Sequence, residues 1–336
     1  MSDSLYYKLH SGKPNKLVNF TCGFLRAALP SCIFRSRLQS VLDELEHRPD
    51  RDYILQRVGY YLKLQQPFAL PTDDTVKRGN GWMHYVGPIG HYRRKLFHTA
   101  YYLDQQELTR WFDPQLRWSF LPGDVYFTPD CPTIVKSRLL GPGNANSVVL
   151  KLDKLRHFMF VNDPVPFEQK QDRVIFRGKI RSSRVRKAFI EQFVDHPLVD
   201  CGVVGRDYCP PHWRKPKRTI RQHLDCKFIM ALEGNDVASN LKWVMSSNSI
   251  AVMTRPTCET WFMEGTLRPD YHYIEVKEDY SDFEEKIRHY MEHPDEARLI
   301  VEHAHEYVRQ FFDLRRERLI SLLVLNRYFQ LSGQKA

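Results

Sequence analysis

Residues 225–253 read DCKFIMALEGNDVASNLKWVMSSNSIAVM. An apolar run at 228–232 is followed by a turn of small and polar residues, by a segment with helical spacing from about residue 237, and by a second apolar run at 249–253. Two parallel strands need a crossover connection, usually a helix, so this succession of strand, helix and strand is typical of a parallel sheet. The stretch predicts an α/β fold.

Further β-favouring runs lie on both sides of this unit, at residues 173–176, 199–204 and 271–276. Helical segments separate several of these runs, which extends the alternating pattern over most of the second half of the chain. Residues 1–140 are less regular. There, helical segments precede a segment rich in glycine and histidine, residues 77–92, for which we expect an irregular loop.

Three helices are predicted near the carboxyl end. Ser281 stands three residues before Glu284, which is the spacing of a capping box at a helix start. Pro294 suits the first turn of the next helix, because a proline there lacks an N–H group that would have no helical partner. Residues 314–329 are apolar at helical spacing and are expected to pack back on the body of the protein.

The composition describes a folded protein with a basic surface. The formal net charge is +10, which favours phosphorylated partners: nucleic acid, nucleotides or an anionic membrane. The seven cysteines contain no Cys-x-x-Cys pair, so the sequence indicates neither a disulfide framework nor a zinc ribbon. No run reaches the ~18 apolar residues of a membrane span, and the first residues lack the pattern of a secretory signal. We therefore expect a cytoplasmic protein.

One basic and aromatic segment, residues 13–37, has two interpretations. It could lie on an anionic membrane surface, or it could be an amphipathic helix packed on the protein. The sequence leaves both open.

Two turns that follow predicted strands are candidates for a ligand site, because ligands of open parallel sheets bind beyond the carboxyl ends of the strands. The first, residues 177–187, combines Gly178 with Arg177 and Arg184 at a helix start. Cations at that position oppose the helix dipole, so an anion would stabilise them. A solvated basic face is the alternative.

The second turn, residues 233–243, leads from a strand into a helix whose predicted start is at residues 237–239. Free N–H groups at that start could bind a diphosphate or a sugar hydroxyl, although Gly-Asn-Asp also describes ordinary turns. The sequence lacks Gly-x-Gly-x-x-Gly after a strand, a Walker loop, Gly-x-Ser-x-Gly and His-Glu-x-x-His. Its Asp-x-Asp motif, Asp50-Arg51-Asp52, has an arginine in the middle, so we expect no essential metal.

Together these two turns and the tract at residues 261–276 resemble glycosyltransferase family 90, and most of all its bacterial lipopolysaccharide branch. The resemblance extends over residues 124–312 and is most specific at 234–243. It implies a GT-B architecture, with two Rossmann-like domains and a cleft between them. In this chain they would be an acceptor-side domain at 1–160 and a nucleotide-sugar-binding domain at 161–312, with a carboxyl-terminal helix at 313–336 that crosses back.

The resemblance also implies a UDP-sugar donor, inversion at the anomeric carbon, and no metal or other cofactor. Positive charge would hold the departing diphosphate, and a general base would take the proton of the acceptor hydroxyl. We expect Asp130 to be that base, at the end of a strand. The expected donor-binding residues are Arg177, Gly178, Arg184, Gly234, Asn235, Asp236, Val237, Ala238, Ser239, Asn240 and Lys242.

Asn240 is a departure from the family pattern, because the animal members place an arginine there. Either Lys242 and Arg184 supply the missing charge or the donor lies differently. On the acceptor side, His84, Tyr85 and His91 could stack on sugar rings, or they could simply pack a surface loop.

The predicted function is transfer of a sugar from a nucleotide donor to a lipopolysaccharide or related surface glycan, at the cytoplasmic face of the inner membrane. Two alternatives stay open: a catalytically degenerate scaffold, and a nucleic-acid-binding protein that would use the basic aromatic strip at residues 208–218. No known nucleic-acid-binding motif supports the second, so we expect no nucleic-acid partner.

Overall fold

The computed structural model describes residues 11–79, 82–92, 99–181 and 183–335. The chain forms two compact units. One, which we call the mixed-sheet unit, comprises residues 15–155, 258–263 and 311–335. The other, which we call the parallel-sheet unit, comprises residues 11–14, 156–257 and 264–310. The predicted domain boundaries stay predictions. The expectation about a secretory signal concerns residues 1–10, which lie outside the described part of the chain.

Strands and helices alternate most regularly after residue 170. The strands are β1 (Thr75–Gly79), β2 (Trp82–Pro88), β3 (Arg117–Leu121), β4 (Thr133–Val135), β5 (Ser137–Leu139), β6 (Ser147–Val149), β7 (Gln171–Gly178), β8 (Val199–Val203), β9 (Cys226–Met230), β10 (Ile250–Met253), β11 (Cys258–Thr260) and β12 (Ile274–Glu275). The helices are α1 (Lys16–Ala27), α2 (Ser31–Arg35), α3 (Leu38–Asp43), α4 (Arg51–Tyr61), α5 (Thr99–Thr109), α6 (Lys154–His157), α7 (Arg184–Phe193), α8 (Ile220–Leu224), α9 (Leu241–Met245), α10 (Phe283–Glu292), α11 (Pro294–Arg309) and α12 (Leu314–Leu331).

The mixed-sheet unit contains a sheet in the order β1-β2-β3-β4-β6. Strand β2 pairs antiparallel with both β1 and β3, whereas β4 pairs parallel with β3 and β6. Two antiparallel pairings distinguish this sheet from the mostly parallel sheet of a Rossmann fold. The expectation of a second Rossmann-like domain in this part of the chain stays a prediction.

The expected loop at residues 77–92 is largely β-structure, in strands β1 and β2. Met83, Tyr85 and Val86 are buried in β2, whereas His84 is half-buried. Glycine has a low β propensity, so the glycines of this segment obscured its strands in the sequence. Residues 80 and 81 of this segment lie outside the described part of the chain.

Helix α12 packs into the mixed-sheet unit, and the predicted helix at 314–329 is confirmed. Its apolar side is buried through Leu319, Leu322 and Phe329. In its first turn, Glu317 pairs with Arg57, accepts a hydrogen bond from Lys151 Nζ at 3.0 Å and accepts one from Trp261 Nε1 at 2.6 Å. Apolar burial and a satisfied buried carboxylate hold the helix in place.

The parallel-sheet unit contains the strands in the order β12-β10-β9-β7-β8, with every neighbouring pair parallel. Counted along the chain, this is the order fifth, fourth, third, first, second, as in flavodoxin-like sheets. All five residues of β9 are buried, as expected for a central parallel strand covered on both faces. The predicted α/β class with a parallel sheet is confirmed, and the GT-B architecture stays a prediction.

The predicted capping box is absent. Helix α10 begins after Asp282, whose side chain does not cap it, and the Ser281 amide donates instead to Asp279 Oδ1 at 3.0 Å. The helix begins one residue later than predicted, so Glu284 is its second residue rather than its third, and it pairs with Arg288, at 2.6 Å, and with His196, at 3.3 Å. Pro294 does occupy the start of α11, as predicted.

Candidate functional site

The strand order places a switch point between β7 and β9, the first and third strands of the parallel sheet. In doubly wound sheets, ligands bind in the crevice at this point, beyond the carboxyl ends of the strands. The turn at residues 177–187 begins at the end of β7, and the turn at 233–243 follows β9. Pairing of these two strands therefore brings together the two turns that the sequence indicated separately.

Two side chains of the first turn bind the backbone of the second. Ser183 is the N-cap of α7, where its Oγ accepts from the Arg186 amide at 3.2 Å, and the same hydroxyl donates to the Glu233 carbonyl at 2.8 Å. The Arg186 guanidinium donates to the Leu232 carbonyl from Nε at 3.1 Å and from Nη2 at 2.8 Å. The two turns form one connected structure.

Gly234 lies under the Arg186 guanidinium. A Cβ atom at this glycine would stand 2.9 Å from Arg186 Nη2, closer than side-chain atoms normally approach. The sequence pattern indicated Arg184 in the same cluster but not Arg186. The available signal was its place three residues after the helix-capping serine, where the side chain points back over the N-terminal turn.

Two of the predicted donor-binding cations are engaged within the protein. Arg177 is almost fully buried, and its guanidinium donates to the Asp200 carboxylate at 2.6 Å, to the Asp200 carbonyl at 2.7 Å and to the Pro216 carbonyl at 3.1 Å. Lys242 is fully buried in an ion pair with Glu264. Contrary to expectation, these two charges are balanced by carboxylates inside the unit, which argues against direct contact with a diphosphate.

The second turn also differs from its expected form. Helix α9 begins at Leu241 rather than at 237–239 and is only five residues long. The Gly234 amide donates to the Asp236 carbonyl at 2.8 Å, so the chain folds back tightly at this point. Asn235 is exposed, whereas Asp236, Val237 and Ala238 are buried and Ser239 is half-buried.

Asn240 has a structural contact that explains its amide side chain. Its Nδ2 donates to the Met230 carbonyl at 2.9 Å, which ties the start of α9 to the last residue of β9. A primary amide provides this donor without bringing a charge next to the sheet. The departure from the family pattern thus serves the local fold of the turn.

A basic cavity of about 730 Å³ lies beside the first turn, at the ends of β7 and β8. Asp207 and the fully exposed Tyr208 are among the residues that line it. Four cationic side chains line it as well: Lys179, Arg181, Arg206 and Lys217. Asp207 fixes the turn, because its Oδ2 accepts from the Ile180 amide at 2.7 Å and the Arg181 amide at 3.1 Å. Arg184 is exposed at the first residue of α7. These cations give the turn a positive potential.

Gly178, the last residue of β7, is half-buried, and a Cβ atom there would collide with the Phe176 ring at 2.4 Å. The glycine is therefore required by the packing of its own strand. A close approach of ligand to its backbone stays a prediction.

In the mixed-sheet unit, Asp130 is exposed in the connection between β3 and β4. The strand expected at residues 125–128 is absent, and the prolines on either side of it, Pro122 and Pro129, cannot donate to a ladder. Asn146 Nδ2 instead supports the backbone, donating to the Pro129 carbonyl at 3.0 Å and the Asp130 carbonyl at 3.1 Å. Asp130 thus precedes β4 rather than ending a strand.

His84 is close enough to Asp130 for their charges to interact. Burial lowers the pKa of His84, Lys77 lowers it further, and the Asp130 charge acts in the opposite direction. His84 Nε2 lies 2.6 Å from Ser119 Oγ, which in turn lies 2.7 Å from Thr133 Oγ1. The candidate base and one acceptor candidate are therefore within electrostatic range of each other.

The other two acceptor candidates are placed differently. Tyr85 is buried, and its hydroxyl donates to the Pro88 carbonyl at 2.7 Å, so its ring belongs to the core and cannot stack on a sugar as expected. His91 is exposed and its Nδ1 lies 3.7 Å from Asp74 Oδ2. Only His84 and His91 remain as acceptor candidates.

The Asp-x-Asp motif is part of an ion-pair network. Asp50 Oδ1 lies 2.6 Å from Arg48 Nε, and Asp50 Oδ2 lies 3.1 Å from Arg316 Nη1. The hydrogen bond from Arg48 is the largest effect that lowers the pKa of Asp50 to about 2. Asp52 is almost completely exposed. The network gives Asp50 a structural role at the carboxyl-terminal helix.

Comparison with known proteins agrees with the sequence resemblance. The model of glycosyl transferase family 90 matches residues 146–335, which include the whole parallel sheet and α12 but not Asp130. The chain is 36% identical over 305 residues to O-glucosyltransferase LpsA of Dichelobacter nodosus, and the alignment covers 90% of this chain and 92% of that protein. A match of this extent and identity establishes the family. The chain belongs to glycosyltransferase family 90 and is a glycosyltransferase.

Proposed function

We propose that this enzyme transfers a glucosyl or related sugar unit from a UDP-sugar to a hydroxyl group of a lipopolysaccharide-type glycan. Support for the sugar comes from the similar O-glucosyltransferase, and support for the acceptor comes from the resemblance to the bacterial branch of the family. The net charge of +10 agrees with a nucleotide donor and with a phosphorylated or membrane-bound acceptor. We place the enzyme in the cytoplasm, at the inner face of the inner membrane.

The observation that carries the donor site is the connection of the two turns at the β7 and β9 switch point through Ser183 and Arg186. A nucleotide diphosphate placed there would face the cations of the first turn. Arg181 and Arg184 are exposed and carry permanent charge, and a guanidinium can bind two phosphate oxygens at once. These two arginines, with Lys179, take the role first expected of Arg177 and Lys242.

The chemical step is a displacement at the anomeric carbon with inversion. The acceptor oxygen forms a bond to that carbon, the bond from the carbon to the diphosphate oxygen breaks, and the acceptor proton passes to the Asp130 carboxylate. Fixed positive charge stabilises the departing UDP, so the step needs no metal ion. His84, which interacts with Asp130, is suited to bind an acceptor hydroxyl beside it.

A thermal-shift titration tests the donor. UDP and UDP-glucose should raise the apparent unfolding temperature, since a ligand that binds only the folded state stabilises it, and the rise should persist in EDTA. ADP, which has the same diphosphate but a different nucleobase, is the matched control. Loss of the rise in EDTA would contradict metal independence, and equal rises with ADP and UDP would contradict a uracil-specific site.

Variants then locate the site. Arg181→Gln and Arg184→Gln should each weaken UDP binding by about tenfold, the loss expected for one charge-assisted phosphate contact. Arg309→Gln, an exposed arginine at the end of α11, is the control and should bind UDP like the parent protein. Unchanged UDP binding in both turn variants would refute this placement of the diphosphate. Tight UDP binding without any transfer would favour the scaffold alternative.

A further inference from the structure

Helix α1 exposes a largely apolar face. None of its 12 residues is buried, and three large apolar side chains are largely exposed: Leu17 at 76%, Val18 at 58% and Leu25 at 67%. At 3.6 residues per turn these three side chains lie within one arc of about 100°. The apolar surface continues past the helix, through Leu29 and Ile33. Contiguous exposed apolar surface of this kind marks an interaction site.

The opposite face of α1 is seated on the mixed-sheet unit, so the orientation of the helix is defined. A Cβ atom at Gly23 would stand 2.7 Å from a methyl carbon of Leu103 on α5, which shows how closely the helix approaches. Arg110 is buried, and its guanidinium donates to the Arg26 carbonyl at 2.6 Å and the Leu29 carbonyl at 2.5 Å. These bonds satisfy carbonyl groups at the end of the helix with a cation, where the dipole favours one.

The charge around this face has one sign. Residues 15–42 contain four cationic side chains and no aspartate or glutamate; the cations are Lys16, Arg26, Arg35 and Arg37. All four are exposed, although Arg26 lies 3.7 Å from Glu107 of α5. An exposed apolar face flanked by cations is complementary to a surface that is apolar inside and negatively charged outside.

The helix is too short to cross a bilayer by itself. Twelve residues extend for about 18 Å, against about 30 Å of hydrocarbon. Among the described residues, no single helix is both long enough and apolar enough to span a membrane. One pair of segments meets both requirements when taken together, Lys16–Ala27 with Ser31–His47, but the two are bent by 77° relative to each other. A helix with these properties lies in the plane of the interface.

We propose that α1 and α2 form a docking face for an anionic lipid bilayer, with Leu17, Val18 and Leu25 inserted below the headgroups and Arg35 and Arg37 among them. The inference does not depend on the donor or the acceptor of the proposed reaction. The sequence left two interpretations of residues 13–37 open. The proposal selects the membrane surface, because the face of α1 that packs on the protein is not the face that carries Leu17, Val18 and Leu25.

Co-sedimentation of the full chain with lipid vesicles tests the proposal. The protein should bind vesicles of phosphatidylcholine and phosphatidylglycerol and should bind pure phosphatidylcholine much more weakly. The variant Leu17→Ser/Val18→Ser/Leu25→Ser should lose about 100-fold in affinity, since each inserted side chain contributes several-fold. Leu299→Ser/Leu314→Ser, which removes two apolar side chains exposed elsewhere, should bind like the parent protein.

A charge variant separates the two contributions. Arg35→Gln/Arg37→Gln should lose about fivefold for each cation, together with most of the preference for phosphatidylglycerol. Circular dichroism and thermal unfolding check the fold of each variant. Should the triple variant not fold, Leu17→Ser alone, in the first turn of α1, should bind several-fold more weakly.

Three results would overturn the proposal: no binding of the parent protein to anionic vesicles, unchanged binding of both the triple variant and Leu17→Ser, or equal losses in the Leu299→Ser/Leu314→Ser control. A second copy of the chain could cover the same apolar face instead of a bilayer. Light scattering on the same proteins tests this alternative, because it measures their oligomeric state. A parent dimer that the triple variant converts to a monomer, with no change in vesicle binding, would assign the face to self-association.

Discussion

At the scale of single residues, burial decides which charges are free to meet a ligand. Arg177 and Lys242 looked equivalent to Arg184 in the sequence, but each is paired with a carboxylate in the interior, whereas Arg184 is exposed. A buried charge has to be paired because desolvation disfavours it strongly. Cations that look alike in the sequence can therefore be buried and paired within the protein or exposed to solvent.

Replacement of the candidate base is the first residue-scale prediction. Asp130→Asn keeps the size and the hydrogen-bonding of the side chain but cannot accept the acceptor proton. We expect the rate of sugar transfer to fall by 10²-fold to 10⁴-fold, the usual contribution of a general base, with thermal stability unchanged because the side chain is exposed. A transfer assay with UDP-glucose and a lipopolysaccharide acceptor measures the rate.

Asp52→Asn is the matched control, since it replaces another highly exposed aspartate of the mixed-sheet unit. It should retain full activity. An active Asp130→Asn enzyme would contradict the assigned role and leave His84 as the nearest alternative base.

At the scale of elements, the cap of α7 has two functions, because Ser183 both starts the helix and binds the turn after β9. Ser183→Ala should cost about 1–2 kcal/mol in the free energy of unfolding, as for loss of an N-cap and one further hydrogen bond. It should also weaken UDP binding, because the second turn loses an attachment. Urea unfolding and a UDP titration measure the two effects.

Thr219→Ala provides the comparison. Thr219 caps α8 with a complete capping box, so its loss should cost a similar unfolding free energy. It lies outside both turns and its replacement should leave UDP binding unchanged. If both variants weakened UDP binding to the same extent, general destabilisation would explain the effect and the special role of Ser183 would be wrong.

The carboxyl-terminal helix depends on a buried carboxylate. Glu317→Gln removes the charge that balances Arg57 and Lys151, and we expect a loss of about 3 kcal/mol in unfolding free energy. Glu44→Gln removes the partner of Arg315, an ion pair at the surface, and should cost at most about 1 kcal/mol. Urea unfolding of both variants tests the difference; equal losses would show that burial of Glu317 is unimportant.

At the scale of the whole molecule, buried histidines should make stability depend on pH. Burial lowers the pKa of His223 to about 4 and that of His272 to about 4, against about 6.5 in the unfolded chain. Between those values the unfolded state binds more protons than the folded state, so stability falls as the pH falls from 7 to 5. Burial raises the pKa of Asp104 to about 6, and this carboxyl acts in the opposite direction.

A variant isolates the histidine contribution. His223 Nδ1 donates to the Thr219 carbonyl at 2.8 Å, and His223→Gln keeps a donor there but cannot titrate. Its loss of unfolding free energy between pH 7 and pH 5 should be smaller than that of the parent protein, since Asp104 and His272 contribute equally to both. Urea unfolding at the two pH values measures the difference. An equal or larger loss in the variant would show that His223 is not responsible.

Local patterns in the sequence predicted the parallel-sheet unit well and the mixed-sheet unit less well. Apolar runs at residues 228–232 and 250–253 marked β9 and β10, because central parallel strands are buried on both faces. Strands β1 and β2 were missed because their segment is rich in glycine, which has a low β propensity, and the strand expected before Asp130 is absent from a stretch that lies between two prolines. The box at Ser281 failed because α10 begins one residue later, after Asp282, which moves Glu284 out of the third helical position.

The sequence by itself determined the α/β class, the two glycine-containing turns, the carboxyl-terminal helix and the family. These depend on local spacing and composition, which a linear pattern contains. Only the tertiary structure decided that β7 lies beside β9, that Arg186 covers Gly234, that Arg177 and Lys242 are paired internally, and which face of α1 is packed. The physical reason is that strand order, burial and counter-charges arise from contacts between residues far apart in the chain, each of which is set by the packing of the whole unit.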